Sequence, residues 1–109
     1  MELRDIRQIE KTGSQACQIR LLYKAPGLEI SHVSIQPGVR IPAEGAAAHD
    51  TDEYCYFISG RIISNCDGVE KPMGPGEASF IEKGHAHWCR NDLDEPCTLI
   101  CVMRDVPED

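Results

Sequence analysis

Apolar residues come in short runs, each cut off by a turn former: Pro26-Gly27, Pro37-Gly38, Gly45, Gly60, Asp67-Gly68, Pro75-Gly76, Gly84 and Glu95-Pro96. Breakers spaced about 8 to 12 residues apart, with β-branched and aromatic residues between them, mark an all-β chain. The runs predict strands over Gln18 to Tyr23, Leu28 to Ile35, Tyr54 to Ile58, Arg61 to Ser64, Ala78 to Ile81, His87 to Arg90 and Cys97 to Met103. Asp67-Gly68 suits a two-residue hairpin turn, and Ser59-Gly60 a reversal that needs positive φ, so antiparallel pairing is expected. Cys97 to Met103 is apolar at nearly every position, which predicts a strand covered on both faces. Leu3, Ile6 and Ile9 recur at threes and make Leu3 to Glu10 the one helical candidate, too short to stand without packing. No internal repeat or linker divides the chain.

Length and composition fit that pattern. A chain of 109 residues, 41% hydrophobic and 27% charged, is expected to form a single domain over residues 1–109 that buries roughly two-thirds of its unfolded surface. Its net charge of -7 repels phosphate backbones and anionic bilayers, so neither nucleic acid nor membrane is an expected partner. The N-terminal residues are charged and no apolar stretch is long enough to cross a bilayer, which predicts a cytoplasmic protein. In that compartment the six cysteines are expected to be free thiols, several of them inside apolar runs. No Cys-x-x-Cys pair suggests a zinc knuckle.

The candidate chemistry lies in the histidines. His49 precedes Glu53 at the head of one strand, and His87 heads another. A loop imidazole followed by the first inward residue of a strand, together with a second strand-borne imidazole, could converge on one interior. Two imidazoles and a carboxylate suit a borderline divalent transition metal and leave coordination positions open. Asp50 and Asp52 make the same segment acidic, as a solvated turn also would. Counting by twos from Glu53 places Cys55 and Phe57 inside, and from His87 places Cys89 inside. These thiols either fill the core or line the cavity.

From Pro37 to Asn91 the sequence resembles the cupin family. His49, three residues, Glu53, six residues and Gly60 reproduce the second half of that family's first motif. Gly76, Gly84, His87 and Asn91 fall on the positions of its second motif, with Glu82 in place of the usual proline. Ala47 stands where the first motif histidine belongs when counted back from Glu53. Counted forward from Gly38, the same position is Glu44, as if the alanine-rich stretch were an insertion of three residues. The resemblance implies a double-stranded β-helix, a small jelly-roll barrel with an interior metal. His49, Glu53 and His87 would be the ligands, Glu44 would either replace the missing one or be a solvated loop residue, and His85 would line the mouth or face water. Asn91 would hold a strand end by side-chain hydrogen bonds.

The expected function is therefore binding of iron, manganese, nickel or zinc together with a small polar metabolite, serving a metal-dependent isomerase, lyase or dioxygenase. The competing expectation is a non-catalytic module that senses or sequesters a small molecule, with or without metal. A homodimer is expected because small β domains leave sheet edges and the strand Cys97 to Met103 needs cover on its second face.

Overall fold

The computed structural model describes residues 1–106. Ten strands follow in order: β1 Thr12–Gly13, β2 Cys17–Ala25, β3 Leu28–Ile35, β4 Arg40–Ile41, β5 Asp52–Ser59, β6 Ile62–Cys66, β7 Val69–Met73, β8 Ala78–Ile81, β9 His87–Arg90 and β10 Cys97–Arg104. All seven expected strands form, with ends shifted by two residues at most. The short β1 and β4 have no apolar run to announce them, and β7 reads Val-Glu-Lys-Pro-Met, mostly exposed and interrupted by a proline. The helical candidate shrinks to a 3-10 turn over Ile6–Gln8, capped by the Asp5 side chain accepting from the Arg7 amide. None of its residues is buried, so the spacing at threes had no surface to pack on.

The strands do not close into the expected jelly-roll barrel. They form two open antiparallel sheets, one of six strands in the order β1-β2-β3-β10-β5-β8 and one of four in the order β4-β9-β6-β7. A closed barrel needs every strand to pair on both sides, and β7 and β8 do not pair with each other. Pro72 removes one donor from β7, and β8 offers only four residues; both are features of sheet edges. A cleft of about 490 Å³ lined by Lys71, Met73, Ala78 and Phe80 lies at this seam.

The core fills the space between the two sheets. Ile35, Phe57, Ile62 and Leu99 are buried there together with Cys55, Cys97 and Cys101, each large apolar side chain contributing about 1.5–3 kcal/mol. Strand β5 shows the period of two: Cys55 and Phe57 are buried, whereas Tyr54, Tyr56 and Ile58 are exposed on the outer face. In β10, Cys97, Leu99 and Cys101 point inward, while Thr98, Ile100 and Val102 are half-buried. The second face of β10 is thus half-buried and not covered as its apolar run predicts, while β3 and β5 occupy its two edges.

Two turns are dictated by glycine. Asp67 (φ 52°) and Gly68 (φ 84°) join β6 to β7, and positive φ at both central residues is what a two-residue hairpin of this twist requires. Gly60 (φ +74°) carries the chain from the large sheet to the small one. A Cβ there would lie 2.3 Å from the Pro96 carbonyl oxygen and 2.8 Å from the Cys97 Cα. Only a residue without a side chain lets β5 turn away this close to the start of β10. No described helix is long and apolar enough to cross a membrane.

Candidate functional site

A cavity of about 700 Å³ opens between the sheets, lined by His49, Glu53, Cys55, His87, Cys89 and Cys101 among others. Each strand contributes by alternation. Glu53 and Cys55 share the inward face of β5 with Phe57. His87 and Cys89 point inward from β9, while Trp88, outside, lies beneath the Arg40 guanidinium at 4.4 Å. His49 belongs to the loop before β5, and its carbonyl accepts from the Gly84 amide at 2.8 Å. The turn that precedes His87 therefore also holds the loop that carries His49.

His87 is the most constrained donor. Its backbone makes a reciprocal pair with Ala47, with both N–H to O distances 2.9 Å. Its Nδ1 lies 3.0 Å from the His85 carbonyl oxygen. A carbonyl can only accept, so Nδ1 carries the hydrogen, and the lone pair of the neutral ring resides on Nε2. That nitrogen is 3.5 Å from Glu53 Oε2. The His49 ring lies with its centroid 5.1 Å from that of His87, tilted by 60°. The structure thus brings His49, Glu53 and His87 to one cavity wall.

The other oxygen of Glu53 faces two thiols. Cys55 Sγ and Cys101 Sγ each lie 3.7 Å from Glu53 Oε1, and the two residues are directly paired across β5 and β10. Among the described residues, two groups have three donor atoms all within 4.8 Å of one another and could hold a metal ion. They are Glu53, Cys55 and Cys101, and the more exposed Cys66, Asp67 and His85.

The remaining site residues fall outside the cavity. Glu44 is exposed on the loop after β4 and is not a lining residue. His85 is exposed too, its Nδ1 ion-paired with Asp67 and its Nε2 3.6 Å from Glu82. The hydrogen bond to Asp67 and the adjacent charge hold the His85 pKa above its ordinary value. The His85 side chain thus looks away from the cavity, and only its carbonyl serves the site. Asp52, next to Glu53, is buried and turned the other way, accepting from the Arg104 guanidinium at 2.8 Å and the Lys83 amide at 3.0 Å. Those bonds hold its carboxyl below the usual range.

All six cysteines are free thiols. The Cys101 thiol and burial both push Cys55 upward. Burial pushes Cys89 up to about 12 and Cys97 up to about 11. Cys97 is fully buried, and its thiolate fraction near neutral pH should be about 100-fold below that of an ordinary cysteine. In the native protein we expect Cys97 to alkylate more slowly than the half-buried Cys66, whose thiol burial and the Asp67 charge also push up, with the rate rising as pH approaches 11. Mass-spectrometric mapping of iodoacetamide adducts checks this, and equal rates at the two sites would refute it.

Cys101 is the site residue that sequence reasoning missed. It lies within an apolar run whose every position looks like core, and only the register against β5 sets its thiol beside Cys55. Ala47 was read as a lost ligand, yet its backbone also fixes His87.

Compared with known proteins, residues 31–103 match the family model described as a cupin domain. No curated protein matches the chain. Similar solved structures include an RmlC-like cupin from Shewanella frigidimarina, with a TM-score of 0.84 at 19% identity over 100% of this chain and 95% of that one. A sugar phosphate isomerase from a cupin superfamily of Silicibacter pomeroyi gives 0.80 at 23% identity over 97% and 77%. Ectoine synthase from P. lautus gives 0.81 at 17% identity over 96% and 78%. With two thirds of its length matched by the family model and the same fold in these structures, the chain belongs to the cupin family.

Proposed function

We propose that His49, Glu53 and His87 hold one divalent transition metal, iron, manganese, nickel or zinc, and that the cavity beside them takes a small polar metabolite for a metal-dependent reaction. The observation that carries this reading is the pairing of His87 with Glu53. With Nδ1 committed to the His85 carbonyl, the neutral ring turns a lone pair toward a carboxylate oxygen 3.5 Å away. Two acceptors so placed repel unless a proton or a metal ion lies between them, and the open cavity beside them gives a metal ion access. Donors each about 2.1 Å from one ion sit about 3–3.5 Å apart, so His87 and Glu53 fit the group as they stand, while His49, whose ring centroid is 5.1 Å from that of His87, would have to turn inward to complete a set of three donors within 4.8 Å. An imidazole whose second nitrogen donates to a carbonyl is also the usual arrangement of a metal-bound histidine.

A bound ion of this kind supplies Lewis acidity toward an oxygen of the metabolite. The residues do the rest. Glu53 offsets the positive charge, His49 and His87 fix the orientation of the ligand set, and the apolar wall of Ile19, Val33 and Leu99 keeps bulk water from the bound molecule. Glu44 and His85 do not line the cavity, so a proton-transfer role falls to Asp50, which does. The structural neighbours are named for isomerase and synthase activities, and one fold serves many reactions. An isomerase, a lyase and a dioxygenase all fit this site.

Metal analysis of the protein after loading with each candidate ion tests the reading. One tightly held ion per chain is expected, and a chain that takes up none of the four would overturn it. Ala47, which leaves the family's fourth ligand position without a donor, favours the second reading, a non-catalytic binding module. Turnover of a panel of small hydroxy- and oxo-acids and sugar phosphates by the loaded protein, absent from the metal-free one, would exclude that module.

The reading includes a homodimer joined through the outer face of the six-stranded sheet, where Tyr56, Ile58 and Phe80 are exposed and Tyr54 stacks on Phe80 at 4.8 Å. Light scattering should give twice the chain mass. A concentration-independent mass of one chain would dismiss the dimer.

A further inference from the structure

Glu53 turns one oxygen toward nitrogen and the other toward sulfur. We propose that Cys55, Cys101 and Glu53 Oε1 form a second donor set, selective for a thiophilic metal ion such as cadmium, zinc or copper(I). The set goes beyond the reading given above and shares only Glu53 with it.

Geometry carries the assignment. Both thiols sit 3.7 Å from the same carboxylate oxygen, and all three donor atoms lie within 4.8 Å of one another. With metal–sulfur bonds of about 2.3 Å and metal–oxygen bonds of about 2.1 Å, a tetrahedral ion sets sulfur and oxygen about 3.6 Å apart. The observed spacing is therefore one that an ion could enter with little movement. The scaffold is rigid as well. Cys55 and Cys101 are paired on adjacent central strands, only 7% and 8% exposed, and both open onto the cavity through which an ion would enter.

Donor chemistry selects the ion. Two sulfurs and one carboxylate oxygen favour soft and borderline metals over manganese or magnesium, which prefer all-oxygen sets. Binding replaces two S–H bonds with two metal–sulfur bonds and releases two protons to solvent, with no change of oxidation state. A tetrahedral ion would retain one open position on the cavity side.

The test uses reduced, metal-free protein titrated with cadmium chloride under exclusion of oxygen. The expected result is an ultraviolet thiolate-to-cadmium charge-transfer band that saturates at one ion per chain. In the Cys55→Ser, Cys101→Ser double variant the band should vanish and cadmium affinity should fall by at least about 10- to 100-fold. The His49→Ala, His87→Ala double variant should keep the band even where it has lost manganese, which separates this site from the histidine site. Loss of the band with the histidines, or its survival without the two cysteines, would overturn the proposal. X-ray absorption at the cadmium edge on the unaltered protein covers the case in which the serine variant fails to fold. Two sulfur scatterers with oxygen or nitrogen support the set, whereas none, or the four that would enlist Cys17 and Cys89, refute it.

Discussion

Replacing His87 by alanine is expected to abolish stoichiometric binding of manganese or iron, while replacing His85 by alanine leaves most of it. The two residues serve the site through different atoms. His87 presents Nε2 to the cavity beside Glu53 Oε2, and nothing in an alanine can take its place. His85 presents only its backbone carbonyl, which the substitution retains, so the hydrogen bond that sets the His87 tautomer persists. Because even outer partners of metal ligands are worth about 10- to 100-fold in affinity, loss of the ligand itself should exceed that range. The converse variant is Ala47→His. Ala47 pairs by backbone with His87 and lines the same cavity, so an imidazole there would emerge beside that of His87 and tighten binding. Gel filtration followed by elemental analysis reads all three. Metal retained at full occupancy by the His87→Ala protein would sink the histidine site.

Asn91→Ala is expected to cost about 3 kcal/mol of stability, with the melting temperature falling by roughly 10–20 °C. Asn91 is 1% exposed and ties three segments together. Its amide nitrogen donates to the Ile35 carbonyl at 3.1 Å and the Glu95 carbonyl at 2.8 Å, and its side-chain oxygen accepts from the Leu93 amide at 2.9 Å. The end of β3, the end of β9 and the approach to β10 are thereby held at one point. Each lost bond is worth about 1 kcal/mol net, and a carbonyl left buried without a donor costs more. Asn91→Asp should be at least as damaging, because a carboxylate oxygen would face a carbonyl where the amide nitrogen donated. Thermal unfolding of the metal-free proteins measures this, and a fall of only a degree or two would show that the bonds are easily replaced.

Period-two alternation told which residues of β5 and β9 face inward, and it placed Glu53, Cys55, His87 and Cys89 on one interior, where the structure has them. His49 was legible as a loop donor because Pro42 and Gly45 upstream argue against a helix. Side-chain hydrogen bonding by Asn91 was legible through its motif position. β7 was not, because an exposed edge strand bearing Pro72 needs no apolar pattern. Glu44 is exposed on its loop and does not line the cavity, as its reading as a solvated loop residue had it and its reading as a substitute ligand did not.

The sequence by itself determined seven of the ten strands, the hairpin at Asp67-Gly68, the inward faces of β5 and β9 and the residue types that could bind metal, because these follow from local periodicity and backbone sterics. Tertiary structure alone decided that the strands form two open sheets, since closure depends on whether the edge strands of one sheet meet those of the other, and β7 and β8, like β1 and β4, stay unpaired with each other. It also decided that Cys101 stands beside Cys55, and that the carbonyl of His85, not its ring, orients His87. The first depends on register between β5 and β10, far apart in the chain, and a slip of one residue would turn either thiol to the opposite face of its sheet; the second follows from the ion pair that draws the His85 ring away to Asp67.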